Sequence, residues 1–338
     1  MTQHVIRDLP VVVLFPHNRC NCRCVMCDIW RIRQSREISP DDLRPHLDSF
    51  RELRVRSVVF SGGEAQLNRE LKALALMLRA ENIHVTLLTA GLLLESRAAE
   101  VAEVMDEVIV SLDGPPDVHN RIRNVPLAFE RLARGIAAVR MLRPAMKFSA
   151  RCTVQKQNFR GLSETVATAR QLALAGISFL ALDTSSAAFN REQPWDEARR
   201  SEVALEALEV DKLEAEIETL IRDQASEIRA GFIAESPEKL RRILRHFRAA
   251  LGQCDPVAPR CNAPWVSAVI EADGTVKPCF FQPAIGNIHS APLIDIVNGN
   301  EALRFRERLD IAADPICRRC VCSLNRPVAV LSEVAATD

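Results

Sequence analysis

Between Val11 and Ser185 the sequence alternates short β-branched runs with longer amphipathic ones. Val11–Phe15, Ser57–Phe60, Val85–Leu88, Val108–Val110, Lys147–Val154 and Ile177–Leu182 read as strands. Segments near Ser39–Leu53, Arg69–Glu81, Glu95–Val104, Leu127–Met141 and Ser163–Ala175 read as helices between them. In the second of these, apolar residues fall at positions 71, 74, 75 and 78, the spacing of one helix face. The first opens with Ser39-Pro40-Asp41-Asp42, a cap, a first-turn proline and acids. Such alternation predicts a parallel sheet with helices outside and right-handed crossovers. Six strand–helix units are too few to close an eight-stranded barrel. The expected fold is therefore α/β, a partial (β/α)6 TIM-type barrel, with its chemistry at the carboxyl ends of the strands.

The unusual residues of this half fall at those ends. Cys20, Cys24 and Cys27, spaced C-x3-C-x2-C, follow the first strand. Gly62-Gly63-Glu64 follows the second, Thr89-Ala90-Gly91 the third, Ser111-Leu112-Asp113-Gly114 the fourth, Gln155–Asn158 the fifth and Asp183-Thr184-Ser185 the sixth. A polar loop rich in thiols, straight after a buried strand, is a metal site by residue type. Four cysteines close an iron–sulfur cluster. Three leave one iron with an open position, the feature that separates catalytic from structural metal sites.

The 338-residue chain has 44 basic and 44 acidic residues. A formal charge of zero gives no electrostatic case for nucleic acid or an anionic membrane. Met1–Leu9 lacks the basic-then-apolar layout of a secretory signal, and no apolar run reaches the ~18 residues of a membrane span. A cytoplasmic protein is expected. Its 11 cysteines then favour metal over disulfides. They fall into two groups, Cys20–Cys27 and Cys254–Cys322, with Cys152 alone on a strand and read as core.

The second group frames a hairpin. Val266–Glu271 and Thr275–Lys277 flank Ala272-Asp273-Gly274, and Asp-Gly between apolar alternations is a turn. Cys261 precedes this hairpin, Cys279 ends it, and Cys317-Arg318-Arg319-Cys320 follows. Four thiolates suit either an iron–sulfur cluster or a structural zinc, and Cys254 and Cys322 compete for one of the places. Asn190–Arg200 reads as a connector. Val210–Ile228 and Pro237–Leu251 read as charged amphipathic helices with solvated faces. The expected division is residues 1–185, barrel; 186–253, helical connector; 254–338, a small hairpin-and-helix auxiliary domain. The tail, Arg326–Asp338, reads as disordered.

The C-x3-C-x2-C loop followed by Gly-Gly-Glu resembles the radical S-adenosylmethionine (radical SAM) superfamily. The C-terminal cysteines resemble its SPASM auxiliary-cluster region, and more closely the shortened twitch form, because few cysteines follow C-x2-C. The resemblance implies a 4Fe–4S cluster on Cys20, Cys24 and Cys27, with SAM chelating the fourth iron. Met26 stands where the family usually has an aromatic beside adenine, and a thioether packs well on a ring. Gly62, Gly63 and Glu64 would meet the SAM amino group: glycines let a ligand approach the backbone, and a carboxylate accepts from an ammonium. Ser111 would reach the SAM carboxylate or ribose, and Asn158 would line the adenosine pocket. One of Arg121, Arg123 and Arg151 would pair with the SAM carboxylate. Asp183 would touch substrate or cap the next segment. Cys22 is read as a bystander. Cys261, Cys279, Cys317 and Cys320 would hold one auxiliary 4Fe–4S cluster that carries electrons. A donor such as flavodoxin or ferredoxin is implied.

The expected activity is reductive cleavage of SAM to a 5′-deoxyadenosyl radical and hydrogen abstraction from a substrate. Oxidation of a small molecule is favoured, since no peptide-recognition segment precedes the first strand. Peptide modification, as in peptide or sulfatase maturation, is the second reading. A non-catalytic iron–sulfur or zinc protein is the alternative from another class.

Overall fold

The computed structural model describes residues 4–191 and 193–326. The expected disorder of the tail therefore lies, past Arg326, outside the described residues. The six expected strands form: β1 (Val11–His17), β2 (Ser57–Gly62), β3 (His84–Thr89), β4 (Glu107–Ser111), β5 (Lys147–Val154) and β6 (Ile177–Ala181). They pair in parallel, each with the next. Side chains alternate between the two faces of a strand, and burial follows. On β5, Phe148, Ala150, Cys152 and Val154 are buried, while Ser149, Arg151 and Thr153 are more open. The buried face packs under helices; the open face lines the lumen. Register sets Ser111 beside Arg151, and Arg151 beside Ser178, across the lumen wall.

The helices depart from the sequence reading where proline decides. The helix expected over Ser39–Leu53 is split into α1 (Pro40–Leu43) and α2 (Leu47–Glu52) by a 3-10 turn at Arg44–His46. Pro45 cannot donate to the helical ladder. The Ser39–Asp42 capping box forms, with Ser39 N donating to Asp42 Oδ2 at 2.8 Å. Next come α3 (Leu71–Ala80), α4 (Ala98–Val104), α5 (Pro116–Arg123), α6 (Ala128–Leu142) and α7 (Leu162–Gln171). The sequence reading has no helix at α5. Pro116 at the first turn pre-sets the helix.

The expected connector holds α8 (Glu197–Val203). The helix expected over Val210–Ile228 breaks at Gln224 into α9 (Ala207–Asp223) and α10 (Ala225–Arg229). Next is α11 (Pro237–Ala250), which packs on α9 and on β6.

The C-terminal segment begins with α12 (Ala263–Val266) and continues as β7 (Ser267–Ile270), β8 (Thr275–Lys277) and β9 (Gly286–Asn287). Helices α13 (Leu293–Asn298), α14 (Asn300–Arg308) and α15 (Pro315–Arg318) complete it. The hairpin is not a separate body. Strand β7 pairs in parallel with β1, so one nine-stranded sheet runs β6-β5-β4-β3-β2-β1-β7-β8-β9. Val13 and Phe15 of β1 pack there with Val269, Ala272 and Phe280. A boundary at residue 254 therefore divides the sequence but not the sheet. No helix among the described residues is long and apolar enough to cross a membrane.

Candidate cofactor site at the carboxyl ends of the strands

Strand β1 ends at His17 and turns into the cysteine loop. The end of β2 is pressed against that loop: Glu64 N donates to Arg19 O at 2.9 Å. A Cβ on Gly63 would overlap the Arg19 carbonyl oxygen, and one on Gly62 would lie 2.8 Å from the Phe15 side chain. Gly62 also has φ +100°, a conformation that L side chains rarely adopt. Both glycines are thus required by close approach of the two loops. A cavity of about 460 Å³ opens beside them, lined also by Phe15, Asn18, Phe189 and Phe280.

Helix α5 carries the far side of the cysteine loop. Arg23 N donates to Arg123 O and Val25 N to Ile122 O, at 3.2 and 3.0 Å. The Arg123 guanidinium is buried between two partners: Nη1 donates to Cys24 Sγ at 3.6 Å, and Nη2 lies 2.6 Å from Asp113 Oδ2. A hydrogen bond with Cys22 and the charge on Arg123 bring the Cys24 thiol down to about 7, against the effect of its burial. Hydrogen bonds with Cys20 and Cys24 push the Cys22 thiol up. Burial pushes Cys27 up to about 12. Met26 is buried in the same loop. Of the three arginines left open by the sequence, Arg123 is the one beside the motif. Arg121 reaches out to Gln157 at an exposed site, and Arg151 lies on the lumen wall beside Ser111.

Two residues expected to face a ligand are turned into the protein. The Glu64 carboxylate is fully buried and accepts from Thr89 Oγ1 and Ala90 N, each at 2.9 Å, and from Gln66 N at 3.2 Å. It ties the end of β2 to the end of β3. Burial raises its pKa while these bonds oppose the rise. Asn158 donates to Asp113 O and Thr153 O at 3.0 Å each and accepts from Gln155 N at 2.8 Å. Its amide braces the loop that carries Asp113. Asp183 likewise pairs with buried Arg191 at 2.7 Å and accepts from Ser185 N at 3.1 Å.

Other buried groups at this rim lack partners among the described residues: both polar atoms of Gln155, Gln66 Nε2 and Arg123 Nε. Buried polar groups are nearly always paired, so these fit a polar ligand better than an apolar one. Gln155, in the loop after β5, and Arg123, at the last position of α5, are placed there by position rather than by a motif.

The connector is stitched to the cysteine loop. Trp195 Nε1 donates to Asp28 Oδ2 at 2.5 Å, Asn190 Nδ2 to Asp28 O at 3.1 Å, and Arg199 Nη2 to Val25 O at 2.5 Å. The guanidiniums of Arg191 and Arg199 lie over the Trp195 ring at 4.7 and 4.8 Å.

At the C-terminal end Cys279 lies within electrostatic reach of Cys261, Cys317, Cys320 and Cys322. Asp314 caps α15 through Cys317 N at 2.8 Å, and Gln282 Nε2 donates to Cys317 Sγ at 3.4 Å. Burial pushes the Cys317 thiol up to about 12 and raises Cys279 as well. Cys254 turns instead to the Arg245 carbonyl at 3.8 Å. No three His, Cys, Asp or Glu side chains among the described residues converge as they would on a single ion. Both thiol sets suit a multi-iron cluster by donor type. The glycine approach, the adjoining cavity and the unpaired polar groups fit a polar ligand beside the first set.

Residues 14–166 match the radical SAM superfamily, and residues 261–321 match SPASM, an iron–sulfur cluster-binding domain. The chain is 30% identical over 157 residues to the Fe-coproporphyrin III synthase of Methanosarcina barkeri, a match covering 45% of this chain and 39% of that protein. It is 31% identical over 159 residues to the pre-heme d1 synthase of Dinoroseobacter shibae, covering 46% and 39%. It is 25% identical over 190 residues to the AdoMet-dependent heme synthase of Nitratidesulfovibrio vulgaris, covering 54% and 51%. The matches thus span about two fifths to one half of these relatives' lengths. Among solved structures, SuiB of Streptococcus suis bound to S-adenosylmethionine superposes with TM-score 0.65 at 14% identity, covering 96% of this chain and 75% of that one. Native anSMEcpe with bound AdoMet superposes with TM-score 0.66 at 19% identity, covering 92% and 86%. At these identities the likeness is one of fold.

Proposed function

The chain belongs to the radical SAM superfamily and carries a SPASM-type iron–sulfur segment, and we propose that it oxidises an organic substrate by hydrogen abstraction. Cys20, Cys24 and Cys27 hold a 4Fe–4S cluster with one iron free for SAM. The cluster and SAM, once bound, supply reductive cleavage of SAM and a 5′-deoxyadenosyl radical that takes hydrogen from substrate. The protein's own share is positioning and exclusion of water. The backbone at Gly62 and Gly63 would meet the SAM amino end, and Ser111 and Arg151, on the lumen wall, would face its carboxylate or ribose. Met26 packs near adenine. Glu64 and Asn158 act behind these groups, holding the strand ends in place. A hydrogen bond with Cys22, and with it the Arg123 guanidinium, favours the Cys24 thiolate that a ligand requires.

Cys261, Cys279, Cys317 and Cys320 would hold one auxiliary 4Fe–4S cluster, which when bound would supply a one-electron acceptor, the substrate radical losing a proton to solvent with that electron. Cys322 is the rival for one of those places. The three relatives described above are named as synthases of hemes or an iron porphyrin, which supports a porphyrin-type substrate. All 11 cysteines are free, which suits a reducing cytoplasm with a flavodoxin or ferredoxin as electron donor. No nucleic acid or membrane partner is required.

The observation that carries this reading is the three-thiol loop pressed onto Gly63, with a cavity beside it. An electron carrier or zinc scaffold has no use for that opening. The test is anaerobic reconstitution, then reductant and SAM, then chromatography for 5′-deoxyadenosine. The product is expected from the parent chain and not from the Cys20→Ala, Cys24→Ala, Cys27→Ala triple variant. Equal product from both would falsify the reading.

A further inference from the structure

A second cavity, of about 280 Å³, lies where α11 packs at the free edge of the sheet, β6. Six cations line it: Arg200, Lys239, Arg242, Arg245, Arg318 and Arg319. No Asp or Glu among the described residues does. The chain as a whole balances 44 basic against 44 acidic residues, so the excess is local. Two of the six are neutralised nearby, Arg200 by Glu197 at 3.0 Å and Lys239 by Glu235 at 4.0 Å. The other four have no carboxylate within ion-pair distance among the described residues.

Backbone carbonyls hold three of those four in place. Arg242 Nη2 donates to Cys320 O at 3.2 Å, Arg245 Nη2 to Asp255 O at 3.4 Å, and Arg318 Nε to Pro256 O at 3.1 Å. These bonds orient guanidiniums without cancelling their charge. Like charges gathered around one hollow repel, and an anion relieves the repulsion. Guanidinium forks match carboxylate and phosphate geometry. The rest of the wall includes Phe179, Leu180, Trp195 and Ile243, which suits an apolar body behind the acidic groups.

The cavity adjoins the proposed auxiliary-cluster site and shares Trp195 with the connector that is bonded to the cysteine loop. Cys320 forms part of its wall, and Leu180 and Thr184 bring in the carboxyl end of β6.

We propose that this cavity binds the acidic groups of the substrate, a small molecule carrying two or more carboxylates or phosphates on an apolar body. That this ligand is the one oxidised rests on the radical SAM reading above; that the cavity binds a polyanion does not.

The test is equilibrium binding to the full reconstituted chain under anaerobic conditions, followed by porphyrin fluorescence. The probes are coproporphyrin III, its fully esterified methyl ester, and inorganic pyrophosphate as competitor. The free acid is expected to bind and the ester not, with binding weakened by salt. Arg319→Gln, at an exposed position, is expected to weaken binding about ten-fold, the scale of one charge-assisted hydrogen bond. Arg242→Gln with Arg319→Gln weakens it further. Arg134→Gln, which removes a charge from the far surface, leaves binding unchanged. Iron content checks that each variant is assembled. Displacement of the porphyrin by pyrophosphate at lower concentration supports the cavity and assigns the acidic groups to phosphate. Equal binding of acid and ester, or Arg319→Gln and the double variant indistinguishable from Arg134→Gln, overturns the proposal. 5′-Deoxyadenosine formed by the parent chain without porphyrin reads the enzyme assignment separately, so the two can fail independently.

Discussion

Arg123 and Asp113 form a buried ion pair, Nη2 to Oδ2 at 2.6 Å, and the other arm of the same guanidinium reaches Cys24 Sγ at 3.6 Å. The pair couples the Ser-x-Asp segment after β4 to the cysteine loop after β1. Breaking a buried pair by removing one partner costs about 3–5 kcal/mol, because the remaining charge is stranded. Asp113→Asn is expected to cost this order in urea unfolding of the metal-free chain, as is Arg123→Leu. The double change should cost clearly less than the sum of the two. Strictly additive losses would show that the residues do not act as a pair.

Gly63 gives a sharper structural test. A side chain there overlaps the Arg19 carbonyl, so Gly63→Ala must displace the cysteine loop. After reconstitution, Gly63→Ala is expected to lose the N-terminal cluster and keep the C-terminal one, roughly halving iron and sulfide. Gly252→Ala is the control: its φ is +72°, but a Cβ there meets nothing within 4 Å. It should cost about 1 kcal/mol of stability and no iron. Full iron in Gly63→Ala would contradict the packing described.

His119 makes stability depend on pH. Burial, reinforced by the Arg123 charge, brings its pKa down from 6.5 to about 3. The unfolded chain therefore takes up the proton first as pH falls. The stabilisation is complete above about pH 6.5 and is lost as pH drops toward 3, at up to about 1.4 kcal/mol per pH unit. Between pH 6.5 and pH 5 the loss is about 2 kcal/mol. His119→Asn should be less stable at pH 7 yet show a flatter slope through this window, measured by urea unfolding at each pH. A slope identical to that of the parent would remove His119 as the cause.

The barrel was legible because each strand is a β-branched run ended by a polar or glycine signal, and each signal falls at the carboxyl end. What pairs with β7 was not. Val266–Glu271 and Thr275–Lys277 around an Asp-Gly turn read as a local hairpin, and nothing in their pattern points to β1 at the other end of the chain. Residue type placed Glu64 and Asn158 at the rim, but type does not say which way a side chain turns. Thr89, Ala90 and Asp113 decide that, and they are distant in sequence. The basic cavity was hidden for a similar reason. Arg242 and Arg245 sit in a charged helix that reads as a solvated face, and Arg318 and Arg319 read as spacers between two cysteines. Only the packing of α11 on β6 brings them around one hollow.

The central claim is that the iron left open by Cys20, Cys24 and Cys27 takes an outside ligand. The direct measurement is low-temperature electron paramagnetic resonance of the reduced Cys317→Ala, Cys320→Ala variant, in which the auxiliary signal is removed, with and without SAM. SAM is expected to change the remaining cluster signal, and the signal should be missing when Cys27→Ala is added. A reduced cluster whose spectrum is identical with and without SAM would contradict the account.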